Sequence, residues 1–398
     1  MPSQLQKAMA ARVERGDFPG LVALVARGDD VWVETAGVTE FGGDVPMRRD
    51  TLFRITSMTK PVLAAVTMML AEDDVLDLEE PVARFLPELA GQQVLVRPDA
   101  PLEATVPPER PVTVEDLLTF TLGFGIVVDP EGEFDPPYPI VQAWRDLDLR
   151  LAEPEPRTGL GPDEWIRRFG SLPLIHQPGE QWMYNAGTQV LGVLLARASG
   201  RPLGELLQER LFAPLGMRDT GFWQPADRVA GLPVHYQTDS ATGRLSRSEI
   251  EPLEVWSAPP AFPNGSAGLL STADDYLAFA RLLLDGGVHG GTRLLSEKSV
   301  AAMTTNHLTD EQIAGGGFFL DGQGWGYGLA VTVRDDEVGG PGRYGWAGGY
   351  GTDWFTDPRE DLIFIVLSQV SDLLWNGALP EFSKLAYGTG RERPGEAR

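Results

Sequence analysis

The sequence predicts an α/β fold of the α+β type, in which one central antiparallel sheet is built from both ends of the chain and flanked by helices. The first observation is a β-rich run from Leu21 to Val38, divided by Gly28-Asp29-Asp30, which is typical of a hairpin. The second is the β character of the last hundred residues, where strands are predicted over 325–333, 343–349, 352–357 and 361–369. The third is the helical spacing of apolar residues between these two regions, which indicates an inserted, mainly helical lobe.

Helices are predicted at both ends and in the middle of the chain. Residues 3–15 form an amphipathic pattern that stops at Gly16, and residues 57–73 are apolar and free of glycine, with Pro61 in the first turn, where proline is tolerated. The segment 87–165 is rich in proline and acidic residues, so we expect long surface loops around one helix that begins at Thr113. Further helices are expected over 186–199, 203–212, 272–285 and 378–387. These patterns predict a sheet domain of residues 1–75 and 265–398 and a helical lobe of residues 76–264.

Charge and composition exclude several classes of function. The 398 residues carry 57 acidic and 33 basic side chains and a net charge of -24, which disfavours nucleic acid or an anionic membrane surface as a partner. No cysteine is present, and the four histidines lack metal-ligand spacing, so we expect neither a metal nor a cofactor. The start has no apolar signal core, and no stretch is long enough to span a membrane, which predicts a cytoplasmic protein. The sequence leaves the oligomeric state open.

Ser57-Met-Thr-Lys60 is the most informative short motif. One helical turn places Ser57 and Lys60 on the same face, where the amine can reach the hydroxyl. A serine hydroxyl becomes a useful nucleophile when a neighbouring base takes its proton, and burial lowers the pKa of a lysine enough for it to serve. This spacing of serine and lysine occurs once in the chain. In isolation it would more often be a capping serine followed by a solvated lysine, so the context has to decide.

Two further motifs supply that context. Trp182-Met-Tyr184-Asn185 precedes a predicted helix, and Gly345-Trp-Ala-Gly-Gly-Tyr-Gly351 lies between predicted strands. Together with Ser57 and Lys60, their order and separation resemble the serine β-lactamase and penicillin-binding-protein superfamily, in particular its class C-like branch with the family VIII carboxylesterases. The resemblance extends from about residue 15 to 385 and includes three supporting segments: 177–180, 214–220 and 265–275.

The resemblance implies a β-lactamase-like fold and a role for each motif residue. Ser57 would be the acylated nucleophile, Lys60 the adjacent base or proton shuttle, and Tyr184 a second proton-transfer group. The backbone N–H groups of Ser57 and Gly349 would form the oxyanion hole. Whether Lys60 or Tyr184 takes the serine proton stays open at this stage. The remaining motif residues are expected to bind substrate: Trp346, Ala347, Gly348, Tyr350 and Asn185.

Departures from the family pattern bear on the substrate. Many relatives have Tyr-x-Asn, whereas this chain has Ala186 at the asparagine position and Asn185 one residue earlier. Penicillin-recognising members carry a cation at the start of the third motif, and this chain has Trp346, whose indole offers an apolar wall without charge. Phe120 and Leu122 replace polar residues of a further family segment, which predicts an apolar environment there.

The sequence therefore predicts a serine hydrolase that cleaves small to medium neutral carboxylic esters through an acyl-enzyme. Alternatives within the superfamily are a β-lactam, amide or D-amino-acid peptide hydrolase, or an acyltransferase. A non-catalytic binding module is a more remote alternative, since such proteins usually lose the serine, lysine or tyrosine. Either the acyl pocket or the core would hold the larger aromatic residues: Trp144, Trp182, Trp223, Trp256, Phe262 and Tyr350.

Overall fold

The computed structural model describes residues 3–129, 131–151, 158–239, 242–248 and 253–390. Within these residues the strands are β1 Gly20–Arg27, β2 Asp30–Gly37, β3 Phe53–Arg54, β4 Val94–Leu95, β5 Thr105–Val106, β6 Tyr236–Asp239, β7 Arg244–Arg247, β8 Leu270–Ser271, β9 Val288–His289, β10 Thr292–Arg293, β11 Gly324–Trp325, β12 Ala330–Val331, β13 Tyr344–Gly348, β14 Thr352–Asp357 and β15 Leu362–Leu367. The helices are α1 Gln4–Glu14, α2 Thr59–Glu72, α3 Val114–Thr119, α4 Pro139–Asp146, α5 Pro162–Phe169, α6 Ala186–Ser199, α7 Leu203–Leu207, α8 Ala213–Leu215, α9 Ala226–Val229, α10 Ala273–Leu284, α11 Glu297–Met303, α12 Asp310–Gly315, α13 Gly317–Leu320 and α14 Ala378–Gly388.

The central sheet has seven strands in the order β11-β12-β13-β14-β15-β1-β2, and every neighbouring pair is antiparallel. Strand β1 from the start of the chain pairs with β15 from its end, with Val22 opposite Leu367 and Arg27 opposite Leu362. The predicted sheet built from both chain ends is therefore confirmed, as is its flanking by helices.

Both faces of the sheet are covered, which explains why strand β15 is apolar at every position. In β15 the side chains of Ile363, Ile365 and Leu367 join the core that contains helices α2 and α10. Leu362, Phe364 and Val366 join the opposite core, which contains residues of α1 and α14. Successive side chains of a strand point to opposite faces, so a strand covered on both sides needs a continuous apolar run.

The segment predicted as one strand over 325–333 is instead a pair of short strands. Trp325 of β11 lies opposite Ala330 of β12, and the chain reverses between them. Gly328 in this turn has φ +73°, and a Cβ atom there would lie 2.9 Å from the carbonyl oxygen of Lys60. The turn therefore packs directly against α2, and this tertiary contact requires glycine where the sequence pattern indicated a continuous strand.

The proline-rich segment contains more helix than predicted. Thr113 caps α3 with its hydroxyl, and the Asp116 side chain bonds back to the Thr113 backbone, as the sequence predicted. Two further helices, α4 and α5, begin at Pro139 and Pro162. Proline is favoured in the first turn of a helix, so these two prolines mark helix starts within a segment whose composition indicated loop.

Candidate active site

Ser57 lies in a tight turn between β3 and α2. Residues Thr56–Met58 form a 3₁₀ turn that leads directly into α2. Thr56 has φ +41°, a left-handed conformation that is unusual for a β-branched residue and costs on the order of 1–3 kcal/mol. The turn is held in place from outside, since the Tyr276 hydroxyl donates to the Met58 carbonyl over 3.0 Å. Backbone strain of this kind is typical of functional sites, and here it immediately precedes the predicted nucleophile.

Lys60 lies one turn further along, completely buried, with its amine beside the serine. Its Nζ is 3.0 Å from Ser57 Oγ and donates to the carbonyl oxygen of Ser266 over 2.7 Å. Burial lowers the pKa of Lys60 well below its usual range. A lysine in this environment favours the neutral amine, which has a lone pair available to accept the proton of Ser57.

Tyr184 is the third residue of the cluster. Its backbone carbonyl accepts a hydrogen bond from the Ile126 N–H over 2.9 Å, which holds the residue just before α6. Lys60 Nζ lies 4.5 Å from the centre of the Tyr184 ring. Burial raises the pKa of Tyr184 to about 12, although hydrogen bonds with Ser57 and Trp346 act in the opposite direction. Tyr184 is therefore a neutral phenol at neutral pH, next to a lysine whose pKa is shifted downward.

Trp346 completes the cluster through its polar edge. Its indole N–H donates to the Tyr184 hydroxyl over 3.0 Å, and its ring packs edge-on against Trp325 with centroids 4.7 Å apart. The sequence predicted Trp346 as an apolar wall for substrate. Its hydrogen bond to Tyr184 joins residues 162 positions apart, and no local pattern in the sequence could have indicated it.

The glycine-rich end of β13 packs on the Ser57 turn. A Cβ atom at Gly348 would lie 2.4 Å from the carbonyl oxygen of Ile55 and 2.5 Å from Thr56 Oγ1, so only glycine fits there. Gly349 follows directly after the strand and is half-buried, and Ala347 is paired across the sheet with Asp353. Gly348 thus brings the predicted oxyanion residue Gly349 up to the turn that carries the nucleophile.

Two predicted substrate-binding residues make other contacts. Asn185 has φ +88°, and its side-chain amide donates to the carbonyl of Leu151 over 2.6 Å. Tyr350 is buried and stacks on the ring of His235 with centroids 3.9 Å apart. These contacts give both residues a packing role, and their contact with substrate stays a prediction.

A cavity of about 740 Å³ borders the cluster at Tyr184. Phe319 of α13 stacks on the Tyr184 ring at 4.5 Å, and Phe134 and Phe318 contact Phe319 edge-on. Of the six aromatic residues considered from sequence, Trp182 lines this cavity, whereas Trp223 and Phe262 line a separate one and Trp144 lies in the main core. The predicted apolar environment of Phe120 is present, since its ring packs on Trp182 and Tyr184.

The described part of the chain shows no group of three or more histidine, aspartate or glutamate side chains arranged to hold a metal ion. In the same residues no helix combines the length and the apolar character that crossing a membrane requires.

Comparison with known proteins places this geometry in a family. The Beta-lactamase family model matches residues 5–379, and the chain belongs to that family. An uncharacterised protein of Mycobacterium tuberculosis is 39% identical over 369 residues, covering 89% of this chain and 87% of its own. The esterase EstB of Burkholderia gladioli is 31% identical over 371 residues, covering 88% of this chain and 86% of its own.

The fold is shared with a solved relative. The structure of EstCE1, described as a hydrolase with promiscuous acyltransferase activity, superposes with a TM-score of 0.79 at 24% identity and covers 96% of this chain and 97% of its own. The resemblance inferred from the motifs is therefore confirmed at the level of family and fold. The class of protein is a β-lactamase-fold serine hydrolase or acyltransferase with esterase relatives.

Proposed function

We propose that this protein is a serine carboxylesterase that cleaves neutral esters through an acyl-enzyme on Ser57. The observation that carries the proposal is the buried Lys60 amine, 3.0 Å from Ser57 Oγ, with its pKa shifted far downward. A solvated lysine would be protonated at neutral pH and unable to act as a base. The EstB relative, itself an esterase by name, supports the same reaction class.

Acylation follows from the two opposite pKa shifts. Neutral Lys60 accepts the Ser57 proton while Ser57 Oγ attacks the ester carbonyl carbon. The resulting ammonium is stabilised by the Ser266 carbonyl and by the Tyr184 ring beneath it. Tyr184, a neutral phenol, donates its proton to the departing alkoxide and regains one from Lys60. The leaving alcohol thus carries the former Tyr184 proton, the Ser57 proton replaces it on Tyr184 by way of Lys60, and the acyl group stays on Ser57.

The negative charge of the tetrahedral intermediate needs fixed donors. We assign this role to the N–H groups of Ser57 and Gly349, which the packing of Gly348 on Ile55 and Thr56 brings to the same region. In deacylation a water molecule attacks the acyl carbon and gives one proton to the lysine and tyrosine pair, which return a proton to Ser57 Oγ as the acyl bond breaks and the carboxylic acid leaves.

The surroundings of the site favour a neutral small-molecule ester. By the family pattern, a cation at the position of Trp346 would meet a substrate carboxylate, and the indole offers no charge. The cavity beside Tyr184 is lined mainly by apolar and aromatic side chains, and its charged lining consists of Asp129 and the ion pair of Arg97 with Asp99. Burial and nearby carboxylates, Asp129 first among them, raise the pKa of Tyr138 in the cavity wall. Residue 346 therefore offers no charged partner to an anionic substrate, including a carboxylate-bearing β-lactam.

Acyl transfer to an alcohol is the second candidate reaction. An acyl-enzyme is released by whichever nucleophile reaches it, so an alcohol held in the cavity beside Tyr184 would compete with water. The cavity volume of about 740 Å³ lies within the range that holds a drug-sized molecule.

The proposal is tested by comparing four reactions on the same preparation. A series of p-nitrophenyl esters of increasing acyl length is measured beside a chromogenic cephalosporin, a D-alanyl anilide, and the best ester with added alcohol. We expect ester hydrolysis with kcat/KM far above that of the lactam and the amide, and its loss in Ser57→Ala. Faster lactam or amide turnover would overturn the esterase proposal. Transfer product exceeding hydrolysis in dilute alcohol would favour the second candidate, and a folded chain without any of these activities would support a binding module.

A further inference from the structure

Hydrogen bonds join His235, Ser371 and Gly349 at the glycine turn, residues 348–351, which follows β13. The Ser371 hydroxyl donates to the carbonyl oxygen of Gly349 over 2.7 Å. The Nε2 atom of His235 is 2.8 Å from the same Ser371 Oγ. Both His235 and Ser371 are buried, and neither belongs to the motifs found in the sequence.

The direction of these bonds follows from counting protons. A serine hydroxyl has one proton, and Ser371 gives it to Gly349. His235 must therefore donate its Nε2–H to Ser371 Oγ, which leaves Nδ1 without a proton. Among the described residues, Nδ1 is indeed buried with no hydrogen-bond partner. Burial and the nearby charge of Arg54 lower the pKa of His235 to about 3, so the ring is neutral at neutral pH.

The same turn is held at its neighbouring residues. His235 stacks on Tyr350, the residue after Gly349, with the two rings 23° from parallel. The Gly351 N–H donates to the Gly348 carbonyl over 2.9 Å, and the Ser368 hydroxyl donates to the Gly351 carbonyl over 2.7 Å. Glycine has no side chain to restrict its backbone angles, so the bond within the turn and the contacts of His235 and Ser368 from outside it determine how its peptide groups are directed.

We infer that His235 and Ser371 are positioning residues of the oxyanion hole, because they fix the carbonyl of Gly349 and with it the direction of the Gly349 N–H. The Gly349 N–H belongs to the peptide group whose carbonyl, that of Gly348, accepts from the Gly351 N–H. With the next peptide group anchored at the Gly349 carbonyl by Ser371, the N–H has little freedom to turn away. This inference rests on the proposed function, in which the Gly349 N–H meets the negative oxygen of the intermediate.

A misdirected donor weakens binding of the transition state and changes binding of the ground-state ester little. Loss of the Ser371 bond should therefore lower kcat about 10- to 100-fold and leave KM within about twofold. A boronic acid that forms a tetrahedral adduct on Ser57 places an oxygen in the same hole. Its affinity should fall by a factor close to the fall in kcat/KM.

Variants that keep or remove one hydrogen bond test the inference. Ser371→Ala removes the donor to Gly349, whereas Ser371→Thr keeps a hydroxyl. His235→Leu removes the donor to Ser371, whereas the amide of His235→Gln can donate from nearly the same place. Ser199→Ala is the matched control, because Ser199 also donates to a backbone carbonyl over 2.7 Å, but at the far end of α6. Thermal melting of each variant shows whether it is folded at the assay temperature.

We expect low kcat and weak boronate binding in Ser371→Ala and His235→Leu, with substantial recovery in at least one of Ser371→Thr and His235→Gln. Unchanged kcat in folded Ser371→Ala, or equal loss of kcat in the Ser199→Ala control, would overturn the inference. If Ser371→Ala does not fold, His235→Leu and His235→Gln decide it by the same criterion. Failure of the proposed function is a separate outcome, since wild-type protein would then show neither ester turnover nor labelling of Ser57.

Discussion

The indole N–H of Trp346 donates to the hydroxyl of Tyr184 over 3.0 Å. This hydrogen bond directly joins the motif of residues 345–351 to the motif of residues 182–185. A neutral donor at this position keeps the phenol oriented without adding a charge to the site. The tryptophan that excludes a substrate carboxylate in our proposal therefore also supports the proton-transfer residue.

Trp346→Phe tests that support by keeping the aromatic ring and removing the N–H. The change should lower kcat/KM for a neutral ester about tenfold, since a hydrogen bond of this kind contributes about 1–1.5 kcal/mol. Steady-state kinetics on the folded variant measure the effect, with Trp375→Phe as a control at an exposed tryptophan. Equal activity of the Trp346→Phe variant and wild type would show that the bond has no role in turnover.

Trp346→Lys tests the proposed substrate charge. The new ammonium should weaken turnover of neutral esters and admit esters that carry a carboxylate, changing the ratio of the two kcat/KM values about 10- to 100-fold. The measurement compares one neutral ester with an analogue that differs by a carboxylate. An unchanged ratio would place residue 346 outside the substrate pocket.

The pH profile of the wild-type enzyme follows from the two pKa shifts at the site. The active form needs neutral Lys60, so activity should fall as the pH drops through the lowered pKa of Lys60. Because burial raises the pKa of Tyr184 to about 12, kcat/KM should stay level above that step throughout the alkaline range in which the protein is folded. A rise in rate that follows a lysine of ordinary pKa would contradict the role of Lys60 as a neutral base.

Lys60→Arg tests the same role by substitution. Arginine keeps the charge and approximate length but cannot release its proton at accessible pH, so the variant should lose nearly all activity. Far-ultraviolet circular dichroism checks that it is folded. A kcat/KM near that of wild type at neutral pH would mean that Lys60 acts only as a fixed charge.

Lys60→Met should show the energetic consequence of burying an amine. The unfolded chain binds a proton at Lys60 up to its ordinary pKa, whereas the folded chain releases that proton at a lower pH because burial lowers the pKa of Lys60. Wild-type stability therefore rises with pH between the folded and the unfolded pKa of this lysine. Methionine binds no proton in either state, so the stability of the Lys60→Met variant lacks this pH-dependent contribution. The free energy of unfolding of wild type minus that of Lys60→Met should therefore increase between pH 7 and pH 9, as measured by urea denaturation. A difference that is constant or falls with pH would show that Lys60 is charged in the folded protein.

The parts of the fold that the sequence predicted are those set by local pattern. The runs that became β1 and β15 are apolar because both faces are buried, and the spacing of Ser57 and Lys60 follows from one helical turn. The reversal at Gly328 could not be predicted, because it depends on how closely that residue approaches Lys60 in α2.

The site was predictable to the same extent. Ser57, Lys60 and Tyr184 stand in recognisable motifs, and the structure brings the three together. The Ser371 and His235 pair was not predictable, since its members are 136 positions apart and each is an ordinary buried polar residue until its partner is known. Contacts of this kind depend on tertiary packing and leave no periodic signal in one sequence.

The central claim is that Ser57 is the acylated nucleophile. The most direct measurement is intact-protein mass spectrometry after treatment with a fluorophosphonate, followed by peptide mapping of the adduct. We predict one equivalent of label on Ser57, concurrent loss of ester hydrolysis, and neither label nor turnover in a folded Ser57→Ala variant. Label on another residue, or ester turnover that persists in Ser57→Ala, would contradict the claim.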